Sequence, residues 1–296
     1  MLNLKKNRGR NYLYPLIAAA ILRLSAIAFT DLSTPALMEY GKIAHTMLSG
    51  SGYSFPWNHS NGSIVVIPTA YMPPGQVFVQ YIGLYIFGDN HAGMIALYFF
   101  QIIQACLFIY LIGKLSQSLF KSRKISLITM WLAAVYPPFI YVTMTFGVTS
   151  NALLLNAVIL YIGVQFSEAL LSGKKELKYA LLMGLSCGLL LLFRGESPII
   201  IFSTLILITY LNRNTLKRSL LYISLAVIIS GSILAPWTIR NYLMFDRFIP
   251  ISTNGGFNFW RGNNDITTGS PWTETGGAVW STDAIWNELE SHLDEH

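Results

Sequence analysis

Residues 31–52 read DLSTPALMEYGKIAHTMLSGSG, and residues 71–75 read YMPPG. Both lie within residues 31–88, the one long polar interruption before residue 238 of an otherwise apolar chain. Downstream, apolar runs recur at about 20 residues, the length that crosses a hydrocarbon core of about 30 Å. The sequence therefore predicts a bundle of membrane helices that presents this stretch, here called the first loop, to one aqueous face.

The composition is that of a polytopic, all-α membrane protein. Of the 296 residues, 53% are hydrophobic and 11% are charged, and the mean hydropathy is +0.48, whereas soluble domains carry about 25% charged residues. The net charge of +6 does not indicate nucleic acid, because the basic residues lie between apolar runs. Cys106 and Cys187 lie inside such runs, so we expect buried thiols without a disulfide.

The distribution of lysine and arginine predicts the topology. Four basic residues precede the first apolar run and should keep the N-terminus cytoplasmic. Residues 76–87 are short for a span, and a crossing there would place Lys114, Lys121, Arg123 and Lys124 outside, so we predict an interfacial or re-entrant helix. Seven spans then satisfy the charge rule, at about 12–30, 92–113, 125–145, 150–170, 179–193, 197–211 and 220–237.

The first loop and the C-terminal part have their own signals. Thr34-Pro35 is an N-cap hydroxyl followed by proline at the first helical position, and it predicts an interfacial helix to about Ser49. We divide the chain into a transmembrane bundle, residues 1–237, and an external C-terminal segment, residues 238–296. Within that segment, residues 254–256 read NGG, a turn signal.

Two carboxylates of the first loop are candidates for a general base, Asp31 and Glu39. Ordinary explanations exist for both: Asp31 as a solvated acid at a helix exit, and Glu39 as the partner of Lys42 at i,i+3. The histidines and cysteines have no metal-ligand spacing, so we predict no metal-binding residue. The cofactor stays undetermined, and a divalent metal is left open.

Three arginines are candidates for binding an anionic phosphate: Arg23 inside the first span, Arg194 between two spans, and Arg240 after a helix end. Arginine suits phosphate because its guanidinium offers two parallel donors. Alternatives remain open for each residue. Arg23 can snorkel to headgroups, Glu196 can neutralise Arg194, and Arg240 can anchor at headgroups. Aromatic faces such as Tyr71 and Trp260 fit either an interface belt or sugar stacking.

Several segments together resemble a known membrane family. Residues 235–242 read APWTIRNY and residues 248–264 read FIPISTNGGFNFWRGNN; Glu39-Tyr40, residues 50–53 (GSGY), residues 70–75 (AYMPPG) and Phe87-Gly88 accompany them. These stretches resemble bacterial GT-C glycosyltransferases, the group that includes protein O-mannosyltransferases and the lipid A aminoarabinose transferase. The resemblance covers most of the chain.

The resemblance implies a glycosyltransferase of the bacterial inner membrane, with its N-terminus cytoplasmic and its C-terminus periplasmic. It implies a polyprenyl-phosphate-linked sugar as donor, a hydroxyl of a glycan, lipid or protein as periplasmic acceptor, and a membrane lipid environment. An acid of the first loop would act as base or orient the acceptor, and Arg23, Arg194 and Arg240 would hold the donor phosphate. We expect four further residues to contact substrate: Tyr71, Glu196, Asn254 and Trp260.

The chain departs from the family pattern at several positions. The usual acid lies three or four residues before the tyrosine that Tyr40 resembles, where this chain has leucine and alanine. Asp31 or Glu39 would have to serve, and we favour Asp31 because a membrane helix ends beside it. Arg194 is followed by Gly-Glu instead of Pro-Glu. Family members commonly continue with further spans, so a truncated chain is one alternative.

Two other classes of function remain as alternatives. A transporter or flippase would have a cavity that reaches both faces and broken helices near the midplane. A non-catalytic membrane partner would bind the lipid-linked sugar, or assemble with an active transferase, without a catalytic acid.

The topology is testable by cysteine accessibility. We expect a cysteine at position 121 to react only from the cytoplasmic side, and one at position 296 only from outside, because this arrangement keeps every cationic link cytoplasmic. Labelling of Lys121→Cys from outside alone would make residues 76–87 a true span.

Overall fold

The protein, described here from a computed structural model, folds into helices with one small hairpin. The structure describes residues 2–29, 37–58, 63–263 and 268. Its elements, in chain order, are α1 (Leu2–Ala28), α2 (Met38–Leu48), β1 (Ser54–Asn58), β2 (Ile64–Pro68), α3 (Pro74–Phe87), α4 (His91–Phe120), α5 (Arg123–Val135), α6 (Pro137–Met144), α7 (Thr149–Ser172), α8 (Glu176–Phe193), α9 (Pro198–Leu211), a 3₁₀ turn (Arg213–Thr215), α10 (Leu216–Phe245) and α11 (Asn254–Gly262). The predicted all-α membrane architecture is confirmed.

Five of the described helices are long and apolar enough to cross a membrane: α1, α4, α7, α8 and α10. The bent pair α5–α6 makes a sixth candidate span. The predicted span at residues 197–211, the sixth in chain order, corresponds to α9, whose 14 residues extend about 21 Å. That is shorter than a hydrocarbon core. Helix α3 also has 14 residues, in agreement with the prediction that residues 76–87 do not form a full span.

The predicted third span is broken by two prolines. Helices α5 and α6 meet at 51°, where the sequence reads Tyr136-Pro137-Pro138. In a continuous helix the carbonyl of Ala134 would accept from the N–H of residue 138, which proline lacks. The Arg23 guanidinium donates to this carbonyl instead, at 3.3 Å.

Arg23 is fully buried and has four hydrogen-bond acceptors. Besides Ala134 it donates to the carbonyls of Ala19 (3.1 Å) and Phe139 (3.1 Å) and to the hydroxyl of Thr143 (3.2 Å). Irregular backbone at membrane depth persists only where its polar groups find partners. Arg23 therefore ties α1 to the break between α5 and α6. Its predicted contact with a donor phosphate stays a prediction.

The first loop folds against the bundle as a unit with its own apolar core. This core joins α2, the hairpin and α3 through five buried residues: Ile43, Ala44, Phe55, Met72 and Val77. The strands of the hairpin pair antiparallel, from Ser54 opposite Pro68 to Asn58 opposite Ile64. The Thr46 hydroxyl donates to the Ile43 and Ser54 carbonyls, at 2.8 and 2.6 Å, and joins the end of α2 to β1.

Gly75 sets the distance between α3 and the end of α8. A Cβ atom there would lie 2.8 Å from the Phe193 ring and 2.9 Å from the Leu192 carbonyl oxygen. Only glycine permits this approach without displacement of backbone. The start of α3, next to Pro73, is thereby held against the residues that lead into Arg194.

We predict that Arg23→Leu lowers thermal stability in detergent by several degrees. The change leaves the buried Ala134 carbonyl without this donor, at about 1–3 kcal/mol for an unsatisfied group, whereas the Phe139 carbonyl keeps the Thr143 hydroxyl as a donor. The matched control is Leu24→Ala, because Leu24 is 44% exposed on the same helix. Equal melting temperatures for the two variants would show that Arg23 does not support the helix break.

Candidate active site

A polar cavity of about 530 Å³ opens at one end of the helix bundle. Four separate parts of the chain line it: the first loop, the link before α7, the α8–α9 turn and α11. Its lining residues are Tyr40, Pro73, Val148, Phe193, Arg194, Gly195, Glu196, Asn254, Gly255 and Asn258. We call it the Arg194 cavity.

The α8–α9 turn supplies the charges of this cavity. Arg194 caps the end of α8, where its backbone N–H donates to the Leu190 carbonyl at 3.1 Å. Its guanidinium forms an ion pair with Glu196, and the two side chains are 37% and 59% exposed. Exposed pairs contribute about 0–1 kcal/mol. The pair therefore opens at little cost, which leaves the guanidinium accessible to an anion.

Tyr40 of α2 also lines the cavity and brings a phenol to it. Burial raises the pKa of this phenol to about 12, and the positive charge of Arg194 opposes the shift. At neutral pH the phenol therefore stays protonated. Tyr40 can donate a hydrogen bond in the cavity, and it cannot serve as a base there.

One turn of α10 binds the neighbouring segments through backbone carbonyls. Trp237 Nε1 donates to Ile251 at 2.6 Å, and Asn241 Nδ2 donates to Ile249 at 2.9 Å. Arg240 donates to the carbonyls of Thr69, at 2.7 Å, and Tyr53, at 3.1 Å. These contacts hold both the hairpin and residues 249–253 against α10.

Residues 249–253 then place α11 over the first loop. The Thr253 N–H donates to the Ala70 carbonyl at 2.9 Å. Within α11, Asn254 Nδ2 contacts the Met72 sulfur at 3.5 Å, and the Phe257 ring lies 6.2 Å from Tyr71. The cavity is thus closed on this side by a helix that the contacts of α10 position.

A buried amide network lies where α3 meets the start of α7. Gln76 and Gln80 both donate to the Phe146 carbonyl, at 3.0 and 2.6 Å. Asn151 donates to Gln76 at 2.7 Å and accepts from Gln104. Because Phe146 lies in the link that leads to Val148, the network supports the wall of the cavity that Val148 lines.

Residues 71–239, more than half of the chain, match the family described as dolichyl-phosphate-mannose-protein mannosyltransferase. The chain belongs to this family. The matched region extends from Tyr71, before α3, to Ile239 in α10. It includes Arg194 and Glu196, and it leaves out α2 and α11.

Solved structures of an oligosaccharyltransferase from Archaeoglobus fulgidus share the fold. The apo form gives a TM-score of 0.61 at 17% identity, and the form tethered to an acceptor peptide gives 0.60 at 17%. A third, the archaeal enzyme AglB with an inhibitory peptide and a dolichol-phosphate, gives 0.59 at 18% over 77% of this chain. The first two matches cover 81% of this chain but only 30% and 31% of the archaeal protein. No curated protein sequence matches the chain.

These findings make the chain a GT-C glycosyltransferase family member with an all-α membrane fold, as the sequence resemblance implied. The chain spans about a third of the length of the archaeal enzyme.

The structure brings three of the predicted site residues into one cavity: Arg194, Glu196 and Asn254. Glu39 lies on α2 next to Tyr40, and no ion pair joins it to Lys42 among the described residues; the Lys42 ammonium lies over the Phe55 ring. Asp31 lies outside the described residues.

The other predicted residues lie around the cavity or away from it. Tyr71 and Trp260 both neighbour Phe257, with ring distances of 6.2 and 6.0 Å. Arg240 is not among the lining residues. Arg23 is buried between α1, α5 and α6. Whether these side chains contact substrate stays a prediction.

Sequence reasoning missed Asn258 as a cavity residue. Residues 254–256 read as a turn, whereas the structure makes them the first turn of α11. On a helix, Asn254 and Asn258 share one face at i,i+4, and both line the cavity. The hairpin was also missed, although residues 64–68, IVVIP, are rich in β-branched side chains.

The variant Arg240→Lys tests whether Arg240 supports the hairpin or binds the donor phosphate. A lysine cannot reproduce the planar fork that reaches two carbonyls, so we expect faster amide hydrogen exchange in both strands of the hairpin. Arg247→Lys is the control, since Arg247 is exposed and close in sequence. Unchanged exchange together with lost sugar transfer would contradict the structural role and favour the donor phosphate.

Proposed function

We propose that the chain transfers a sugar from a polyprenyl-phosphate-linked donor to an acceptor hydroxyl in the Arg194 cavity. The acceptor oxygen attacks the anomeric carbon, and the bond from that carbon to the phosphate oxygen breaks. The electron pair stays on the departing polyprenyl phosphate, and the hydroxyl proton passes to a carboxylate. No other co-reactant is needed for this balance.

The observation that carries the proposal is the composition of the Arg194 cavity. A glycosyltransferase of this type needs a cation for the donor phosphate, a carboxylate for the proton, and neutral donors for sugar hydroxyls. Within about 530 Å³ the cavity offers Arg194 for the phosphate, and Glu196 and the amides of Asn254 and Asn258 for sugar hydroxyls; the carboxylate for the proton is proposed from the first loop. This chain belongs to the mannosyltransferase family. Its cavity groups lie at the end of an apolar helix bundle, within reach of a lipid.

Arg194 is the residue that we assign to the donor phosphate. Its side chain has no hydrogen bond apart from the Glu196 pair among the described residues, so donors remain for a phosphate oxygen. The solved AglB structure contains a dolichol-phosphate, which supports a lipid phosphate as the donor class here. Arg240 and Arg23 would assist by shaping the site, or by direct contact as predicted from sequence.

The base is proposed among the carboxylates of the first loop. Asp31 remains the first choice and Glu39 the second, because both belong to the first loop. Glu39 adjoins Tyr40, a cavity residue. Glu196 is proposed to contact sugar hydroxyls once the donor phosphate has taken its place at Arg194. Tyr71 and Trp260 supply aromatic faces for the sugar or the acceptor.

The reaction is proposed to take place on the periplasmic face of a bacterial inner membrane. The cationic links predicted to be cytoplasmic lie at the ends of helices remote from Arg194: Lys121 follows α4, and Lys174 follows α7. The positive-inside rule then leaves the cavity outside.

The test is a radiolabelled transfer assay on membranes with and without the chain, with polyprenyl-phosphate mannose as the first donor because of the family. We expect chain-dependent transfer of label and release of polyprenyl phosphate. Binding of the donor with no transfer to any acceptor fraction would instead favour a non-catalytic partner that holds the lipid-linked sugar.

Three substitutions of carboxylates assign the base. We expect Asp31→Asn to lower turnover about 10²- to 10⁴-fold, the usual contribution of a positioned base, while donor binding stays near normal. Asp246→Asn is the control, since Asp246 is exposed and both residue types suit its left-handed backbone. Loss in Glu39→Gln or in Glu196→Gln, with Asp31→Asn fully active, would move the role to that residue.

A substitution of Arg194 tests the phosphate assignment separately. We expect Arg194→Gln to weaken donor binding about 10- to 100-fold, because a hydrogen bond to a charged group contributes about 1.5–3 kcal/mol. Arg194→Lys should recover part of this loss, since it keeps the charge without the fork. Normal donor affinity in Arg194→Gln would remove Arg194 from the phosphate site.

A further inference from the structure

A second polar cavity lies between α4 and α7 and has no part in the chemistry above. Its volume is about 410 Å³. Six residues line it, and none of them is apolar or acidic: Lys114, Gln117, Ser118, Lys121, Tyr161 and Gln165. We call it the Lys114 cavity.

Two facing polar stripes build the Lys114 cavity. On α4 and its C-cap, Lys114, Gln117, Ser118 and Lys121 follow one another at i, i+3, i+4 and i+7, which places them on one face of the helix. On α7, Tyr161 and Gln165 are separated by one turn. Elsewhere the two helices contribute apolar side chains such as Ile109 and Ile159 to the cores.

The Lys114 cavity is separate from the Arg194 cavity. Val148, which lines the Arg194 cavity, immediately precedes α7. Tyr161 lies 13 residues further along that helix, about 20 Å at 1.5 Å per residue. The Lys114 cavity therefore lies toward the opposite end of the bundle, which the charge rule predicts to be cytoplasmic.

The charges of the Lys114 cavity are not balanced. Among the described residues, Lys114 has no ion pair or hydrogen bond through its ammonium group, although it is half-buried. Lys121 approaches Glu168 at 3.7 Å, but these side chains are 76% and 55% exposed, and such a pair is weak. The Lys114 ammonium therefore has donors left for an anion.

We propose that the Lys114 cavity binds the phosphate of an anionic phospholipid headgroup. The two lysines would bind the phosphate oxygens, and Gln117, Ser118, Tyr161 and Gln165 would bind hydroxyl or carbonyl groups of the headgroup and glycerol. Basic pockets between membrane helices on the cytoplasmic side recognise anionic headgroups in this way.

The position of the cavity favours a lipid over a free anion. Leu119 and Phe120, at the end of α4, are 58% and 62% exposed. They lie outside the six lining residues, between Ser118 and Lys121 in the chain, and offer apolar surface for acyl chains at the same end of α4. A soluble phosphate would gain nothing from that surface, whereas a phospholipid would use both parts of the site.

Native mass spectrometry of the full chain in detergent tests the proposal. The probes are dioctanoyl phosphatidylglycerol, dioctanoyl phosphatidylcholine and inorganic phosphate. We expect the anionic lipid to bind at least about fivefold more tightly than the zwitterionic one, since each lysine near the surface contributes about fivefold. Lys114→Gln should weaken the anionic lipid about fivefold, and the double variant Lys114→Gln/Lys121→Gln about thirtyfold.

Matched variants keep the outcome decisive. The control Lys174→Gln/Lys217→Gln removes two exposed charges from the same end of the bundle, and it should change affinity less than about twofold. Lys114→Arg keeps the charge and should retain binding. Equal losses in the control and the double variant would overturn the proposal, as would equal affinity for the two lipids or competition by inorganic phosphate at micromolar concentration.

Discussion

One helical turn of α10 determines where the parts of the Arg194 cavity meet. Trp237, Arg240 and Asn241 all donate to backbone carbonyls of irregular segments, in the hairpin and in residues 249–253. The Tyr53 carbonyl also accepts from the Thr69 N–H, so loss of the side-chain donors would matter most at the Thr69, Ile249 and Ile251 carbonyls, at about 1–3 kcal/mol for each one left buried and unsatisfied. The turn therefore fixes the first loop and α11 relative to the bundle, and hence two of the four walls of the cavity.

The need to give irregular backbone carbonyls a hydrogen-bond donor recurs at other places where the chain leaves a regular helix. Arg23 supplies the donor that proline removes at the α5–α6 break, and Gln76 and Gln80 supply donors to the Phe146 carbonyl between α6 and α7. At membrane depth no bulk water can take these roles. Arginine is suited to this role because one guanidinium reaches several acceptors, as at Arg23 and Arg240, whereas two glutamines converge on the one Phe146 carbonyl.

This constraint explains what the sequence could and could not predict. Apolar length and the spacing of lysines predicted the helices and the short α3, because those signals are local. The roles of Arg23 and Arg240 are not local, because their acceptors lie 111 and 171 residues away in the chain. From the sequence alone, an arginine that donates to backbone carbonyls cannot be distinguished from one that binds a phosphate. The prediction of a turn at residues 254–256 was wrong for a related reason. Two glycines favour a turn locally, but the long-range hydrogen bond from Thr253 to Ala70 fixes the start of α11 there.

Whether Arg240 or Arg194 can bind a phosphate depends on the contacts that each guanidinium would have to give up. Arg240 donates to two carbonyls and lies about 5 Å from the Trp237 ring, so a phosphate would have to replace contacts that hold the fold together. Arg194 has an exposed carboxylate partner, which water can solvate when the pair opens. In the proposed reaction, a donor phosphate would therefore exchange with Glu196 at little cost, and the released carboxylate would remain beside it in the cavity. The ion pair would thus keep both charges near the reacting sugar through a cycle of donor binding and lipid release.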